Sequence, residues 1–154
     1  MKNKPIIAIM YDFDRTLCTK DMQEFMFIPS LGISAADFWS EANELGSREK
    51  MDSVLAYMYI MIKKSKEKKL KLCKETLNKQ GQGVLFFKGV ESWFERINEF
   101  GRELGVCVEH YVISSGLKEI IDGTSISDKF KEIYACEFLY DEADNAVWPK
   151  TAVN

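Results

Sequence analysis

Ile6-Ile7-Ala8-Ile9-Met10-Tyr11-Asp12-Phe13-Asp14-Arg15-Thr16-Leu17 is an almost wholly apolar run that stops at two acids one residue apart, followed by a threonine. The run is rich in isoleucine and too short for an ordinary helix, which predicts a buried strand of a parallel sheet. Ligands of such sheets bind beyond the carboxyl ends of the strands. Side chains alternate along an extended chain, so Asp12 and Asp14 point to one side and Phe13 to the other. Two carboxylates that close together repel, and the pKa of one rises unless a cation bridges them. A hard, oxygen-seeking Mg²⁺ is the simplest bridging partner.

Downstream, the pattern to about Gln82 is helical. Ser34 is placed to cap one helix, with Asp37 closing the cap and Phe38, Ala42 and Leu45 on its apolar face. Ser47 is expected to cap a second, with Met51, Val54, Leu55, Met58 and Ile62 at helical spacing. The lysine-rich stretch from Lys63 to Lys74 carries Leu70, Cys73 and Leu77 as its stripe and reads as a solvated helix face. A new pattern starts at Val84. Val90, Trp93, Phe94, Ile97 and Phe100 trace an amphipathic helix closing near Gly101 or Gly105, and Val106 to Ser114 reads as another strand. Strand, helix, strand in succession implies a right-handed crossover and a parallel sheet. One further strand, Tyr134 to Tyr140, is followed by a turn at Asp141 to Asn145.

The Asp12-Phe13-Asp14-Arg15-Thr16 string resembles the first motif of the haloacid dehalogenase-like hydrolases, a superfamily composed mostly of phosphatases. Arg15 stands where many members carry glycine or another small residue. The resemblance implies a Rossmann-like α/β core, residues 1–17 and 84–154, with an inserted all-helical cap, residues 18–83, like that of phosphoserine phosphatase relatives. It further implies Mg²⁺-dependent hydrolysis of a small phosphomonoester. Asp12 takes the role of nucleophile, Asp14 that of general acid and base, and both belong to the Mg²⁺ site. Thr16 falls among the phosphate-binding groups. Ser114 stands where the second motif's hydroxyl belongs, with Ser115 and Gly116 offering backbone N–H groups at the start of the next helix. Asp21 falls where relatives meet the substrate's amino group.

Two other readings of the acid pair fit less well. As an EF-hand loop, the sixth position is Leu17 instead of glycine and the twelfth Gln23 instead of glutamate. A nucleotide-sugar transferase can carry Asp-x-Asp at a strand end, but nothing else in the sequence supports one. The family's later motifs, a lysine and a Gly-Asp with a further acid, have no convincing counterpart after Ser114. Lys150 follows Pro149 instead of opening a helix, and the chain reads as truncated before the catalytic back half. A non-catalytic phosphate- or metal-binding regulatory protein is therefore the alternative.

Hydrophobic residues make up 46% of the chain and charged residues 29%, with a net charge of -3, which describes a globular protein with no call for nucleic acid. The basic start followed by apolar residues is interrupted by Asp12 too early for a signal peptide, and the methionine-rich stretch is too short and broken to span a membrane. A cytoplasmic location and a small phosphorylated metabolite as partner are the expectations. Cys18, Cys73, Cys107 and Cys136 lie far apart and indicate neither a zinc site nor a disulfide framework. The only histidine, His110, lies mid-strand and reads as structural. If Ile6 to Tyr11 lack a second neighbour, they form an apolar sheet edge, and a homodimer through that edge is expected.

Overall fold

The computed structural model describes residues 4–154; the basic start at residues 1–3 lies outside the described residues. Four strands form one sheet in the order β1-β2-β3-β4: β1 (Ile6–Tyr11), β2 (Cys107–Leu117), β3 (Glu132–Tyr140) and β4 (Ala146–Thr151). β1 and β2 are parallel, as are β2 and β3, whereas β4 returns antiparallel to β3. The α/β class and the parallel core follow the sequence reading. β4 does not: the Asp141 turn closes a hairpin, its Oδ1 accepting from the N–H groups of Ala143 and Asn145.

β1 departs from its expected burial. Among the described residues only β2 pairs with it, and α5 (Val90–Glu103), the crossover helix, covers one face of the pair. Register places Ile9 beside His110 and Tyr11 beside Val112 on the α5 side. There Trp93 Nε1 donates to the Tyr11 hydroxyl at 2.8 Å, which donates to His110 Nδ1 at 2.9 Å. His110 Nε2–H then donates to Asn98 Oδ1 at 3.0 Å. This chain of bonds requires a neutral imidazole, and burial pushes its pKa down in the same direction. His110 is a structural residue of the sheet–helix interface. On the opposite face Ile6 and Met10 are 61% and 64% exposed, and Ile113 and Tyr134 continue the same bare apolar surface across β2 and β3.

The segment between β1 and α5 is helical: α1 (Phe27–Ser30), α2 (Ala35–Glu49), α3 (Ser53–Glu67) and α4 (Lys74–Gln80). Ser34 caps α2 as expected, its Oγ accepting from the Asp37 N–H at 3.0 Å, a device worth about 1 kcal/mol. Ser47 is no cap; α2 runs through it, and Asp52 caps α3 by accepting from Val54 and Leu55 N–H. The lysine-rich stretch is broken as well. α3 ends at Glu67, Lys69 adopts φ 54°, and α4 starts only at Lys74. Val84 to Gly89 adds no strand to the sheet. Its Phe86 makes a single antiparallel bridge with Cys18, where the chain leaving β1 and the chain returning from α4 run side by side. Thr19 N–H donates to Leu85 O and Phe87 N–H to Leu17 O, both at 3.0 Å. Among the described residues, no helix is long and apolar enough to cross a membrane.

Candidate active site

Immediately after β1 the chain turns tightly, with the N–H groups of Thr16, Leu17 and Cys18 converging on the carbonyl of Phe13. Phe13 is fully buried against Phe86, so the turn is anchored from its apolar side and Asp12 and Asp14 are left to line a cavity of about 320 Å³. The alternation predicted for this stretch is what separates them from Phe13. Arg15 adopts φ 59°, a left-handed conformation that glycine reaches without strain, which explains why a small residue suits this position.

The two acids are held differently. Asp12 is exposed, and Thr16 Oγ1 donates to its Oδ2 at 2.8 Å, leaving Oδ1 without a side-chain hydrogen bond among the described residues. Thr16 thus orients Asp12. Asp14 is more enclosed: its Oδ1 accepts from Met22 N–H at 2.9 Å and from the Cys18 thiol at 3.6 Å. Gly116 packs close by, and a Cβ there would stand 3.0 Å from Asp14 Oδ2 and collide with Met22. Burial, only partly offset by the Met22 N–H, raises the Asp14 pKa to about 7, with the neighbouring acids Asp21 and Asp12 adding to the rise. A carboxyl that titrates near neutrality can both give and take a proton. Burial likewise pushes the Cys18 thiol up to about 12, so it is inert.

This pKa makes a prediction on stability. The folded chain keeps a proton on Asp14 up to pH of about 7, whereas the unfolded chain releases it near the ordinary value of 3.8. Between those values the folded state binds more protons, so stability falls as pH rises through the window. In metal-free buffer, Tm measured from pH 4.5 to 7.5 is expected to fall more steeply for the native chain than for Asp14→Asn. Parallel curves would show that Asp14 is ionised throughout.

Ser114, Ser115 and Gly116 are placed otherwise than expected. They do not open a helix: β2 continues through them with a shift in its pairing to β3, and the next helix, α6 (Lys118–Asp122), is a short one. Ser114 is 2% exposed and its Oγ accepts from Gly116 N–H at 3.0 Å, whereas Ser115 lines the cavity. The irregular pairing redirects the chain here, a local effect that no residue pattern announces. Asp21 lines the cavity, but both its oxygens are taken by Arg15, Nε at 3.0 Å and Nη2 at 2.8 Å. Lys150 stands on β4, 3.2 Å from Glu137, and does not reach the cavity lining.

The helical segment supplies the remaining wall through Gln23, Trp39, Asn43 and Tyr57, none of them singled out by the sequence. The Tyr57 hydroxyl on α3 donates to Ser115 O at 2.6 Å, tying the helical segment to β2 at the cavity. Trp39 Nε1 donates to Glu24 at 2.9 Å, and Glu24 lies 3.8 Å from Arg15. Tyr57 sits on the apolar face read from Val54, Leu55 and Met58, so its sequence position announced burial, not a site.

No protein-family model matches the chain. It is 28% identical over 144 residues to an uncharacterized protein of Borreliella burgdorferi, a match covering 87% of this chain and 50% of that protein. The chain thus spans about half the length of this curated relative. Among solved structures it resembles a phosphoserine phosphohydrolase-like protein from Francisella tularensis, with a TM-score of 0.63 at 18% identity, covering 96% of this chain and 65% of that one. A substrate-bound phosphoserine phosphatase gives a TM-score of 0.60 at 13% identity, covering 97% of this chain and 63% of that one. The fold is that of the phosphoserine phosphatase-like hydrolases. Its strands place Asp12 and Asp14 at the carboxyl end of β1, facing the helical segment across the cavity.

Proposed function

We propose that the chain carries the site of a haloacid dehalogenase-like phosphatase that hydrolyses a small phosphomonoester through a covalent intermediate on Asp12. The observation that carries this reading is the unequal state of the two acids: Asp12 open and aimed by Thr16, Asp14 enclosed with a pKa of about 7. Asp12 Oδ1 attacks phosphorus, forming an acyl phosphate as the bond to the leaving oxygen breaks. Asp14 gives that oxygen its proton. The resulting Asp14 carboxylate then takes a proton from water as the water oxygen attacks phosphorus, releasing phosphate and restoring Asp12.

Three acids, Asp12, Asp14 and Asp21, line the cavity and, among the described residues, no lysine, arginine or histidine does, so a phosphate dianion needs a cation for company. The Asp12 carboxylate and the Asp14 main-chain carbonyl are hard oxygen donors of the kind Mg²⁺ accepts alongside substrate phosphate and water. When bound there, Mg²⁺ supplies charge neutralisation for the phosphoryl group. Among the described residues no group of three or more acid, cysteine or histidine side chains is gathered to hold a metal unaided.

That sparse donor set also supports a second reading, in which the chain binds a phosphorylated ligand with Mg²⁺ without turning it over. Hydrolysis of p-nitrophenyl phosphate separates the two. Under the first reading turnover is expected to need Mg²⁺ and to vanish with EDTA, whereas ligand-dependent heat in titration calorimetry without phosphate release establishes the second.

A further inference from the structure

Beyond the aspartates the cavity changes character. Gln23 is 1% exposed and lines the cavity, yet its Oε1 has no hydrogen-bond partner among the described residues. Leaving a buried amide oxygen unpaired is unfavourable, a penalty removed when the side chain turns to pair with a ligand. Beside it the wall carries the Trp39 indole, the Asn43 amide and the Ser53 hydroxyl, all neutral.

A leaving group with its own carboxylate would meet Asp12 and Asp14, while the Arg15 guanidinium is already engaged by Asp21. One bearing an ammonium would meet an Asp21 whose two oxygens are already matched by the Arg15 guanidinium. Hydroxyl groups face neither difficulty. A hydroxyl donates and accepts, so it satisfies an amide in either orientation, and the C–H face of a polyol packs against an indole.

Building on the phosphatase reading, we infer that the substrate is the phosphomonoester of a neutral polyol or sugar, and that Gln23 is the specificity-determining residue that hydrogen-bonds one of its hydroxyls. A site built to pair with a hydroxyl discriminates strongly against an analogue that lacks it, because its own polar group is then stranded.

The test compares glucitol 6-phosphate, ethyl phosphate, O-phosphoserine and adenosine monophosphate as substrates of the chain with Mg²⁺, and as ligands of Asp12→Asn by titration calorimetry. The polyol phosphate is expected to exceed ethyl phosphate by about tenfold or more, mostly in KM and Kd, the value of one good hydrogen bond. Phosphoserine is expected to do no better than ethyl phosphate. Gln23→Met, which keeps the side chain's length, should bring the polyol-to-ethyl ratio close to one. Phosphoserine matching the polyol phosphate, adenosine monophosphate surpassing it, or a ratio unmoved in Gln23→Met overturns the inference while leaving the phosphatase reading intact. If no phosphomonoester is bound or hydrolysed in the presence of Mg²⁺, both fall together.

Discussion

Asp12→Asn is expected to bring hydrolysis of p-nitrophenyl phosphate down to the uncatalysed rate, a loss of roughly 10⁴-fold or more as for other removed nucleophiles. The substitution keeps size and leaves Thr16 a partner, since the amide oxygen still accepts from its hydroxyl, bonded in the native chain at 2.8 Å. What it removes is the carboxylate oxygen that the proposed reaction bonds to phosphorus. Substrate binding with Mg²⁺ should survive in weakened form, because the Asp14 carbonyl and the neutral wall around Gln23 are untouched. Trapping with borohydride after brief exposure to substrate gives an independent reading: the acyl phosphate of the native chain is reduced at Asp12, and the variant shows no such product. Turnover retained by Asp12→Asn would remove Asp12 from the chemistry.

The second large effect is on assembly. The chain is expected to self-associate through β1, with a second copy as the partner. Six residues of that strand, Ile6 to Tyr11, carry no charge and present one row of backbone groups with no neighbouring strand among the described residues. Antiparallel pairing of two copies about Ala8 sets Ile6 against Met10 and Ile7 against Ile9, with no like charges opposed. It also directs Lys4 towards the acidic end of the partner's strand. An apolar, uncharged edge is the kind that natural sheets guard against unless another strand covers it. Light scattering across a dilution series is expected to show a dimer at high concentration, and Ile6→Lys, at a 61% exposed position away from the cavity, should shift it to monomer. A native chain that stays monomeric throughout would show that the edge is guarded without a second copy.

The acid pair and the parallel sheet were legible in the sequence because each rests on a short-range pattern: an apolar run, strict alternation about Phe13, and an amphipathic period across Val90 to Phe100. Ser34 was legible for the same reason, since its cap is completed three residues later. Ser47 misled because a serine before an apolar stripe signals a helix start wherever it stands, while Asp52, five residues on, accepts two N–H groups and takes the role. The burial of β1 was misread because composition reports what a strand tolerates, whereas exposure depends on neighbours. Gln23, Trp39 and Tyr57 lay beyond reach for another reason. They gather around the cavity from separate turns of the helical segment, and their meeting with Asp14 and Ser115 is long-range geometry. Asp21 was found by spacing but not its state, which depends on the left-handed turn that brings Arg15 round to it.

The paired crossings at Thr19–Leu85 and Phe87–Leu17 tie both connections of the helical segment to the residues just after the turn that carries Asp12 and Asp14. Leu17 and Cys18 belong at once to that turn and to those crossings. A swing of the helices that widened the entrance would therefore pull on the backbone carrying Asp12 and Asp14, so the width of the cavity mouth and the alignment of the two acids share one hinge.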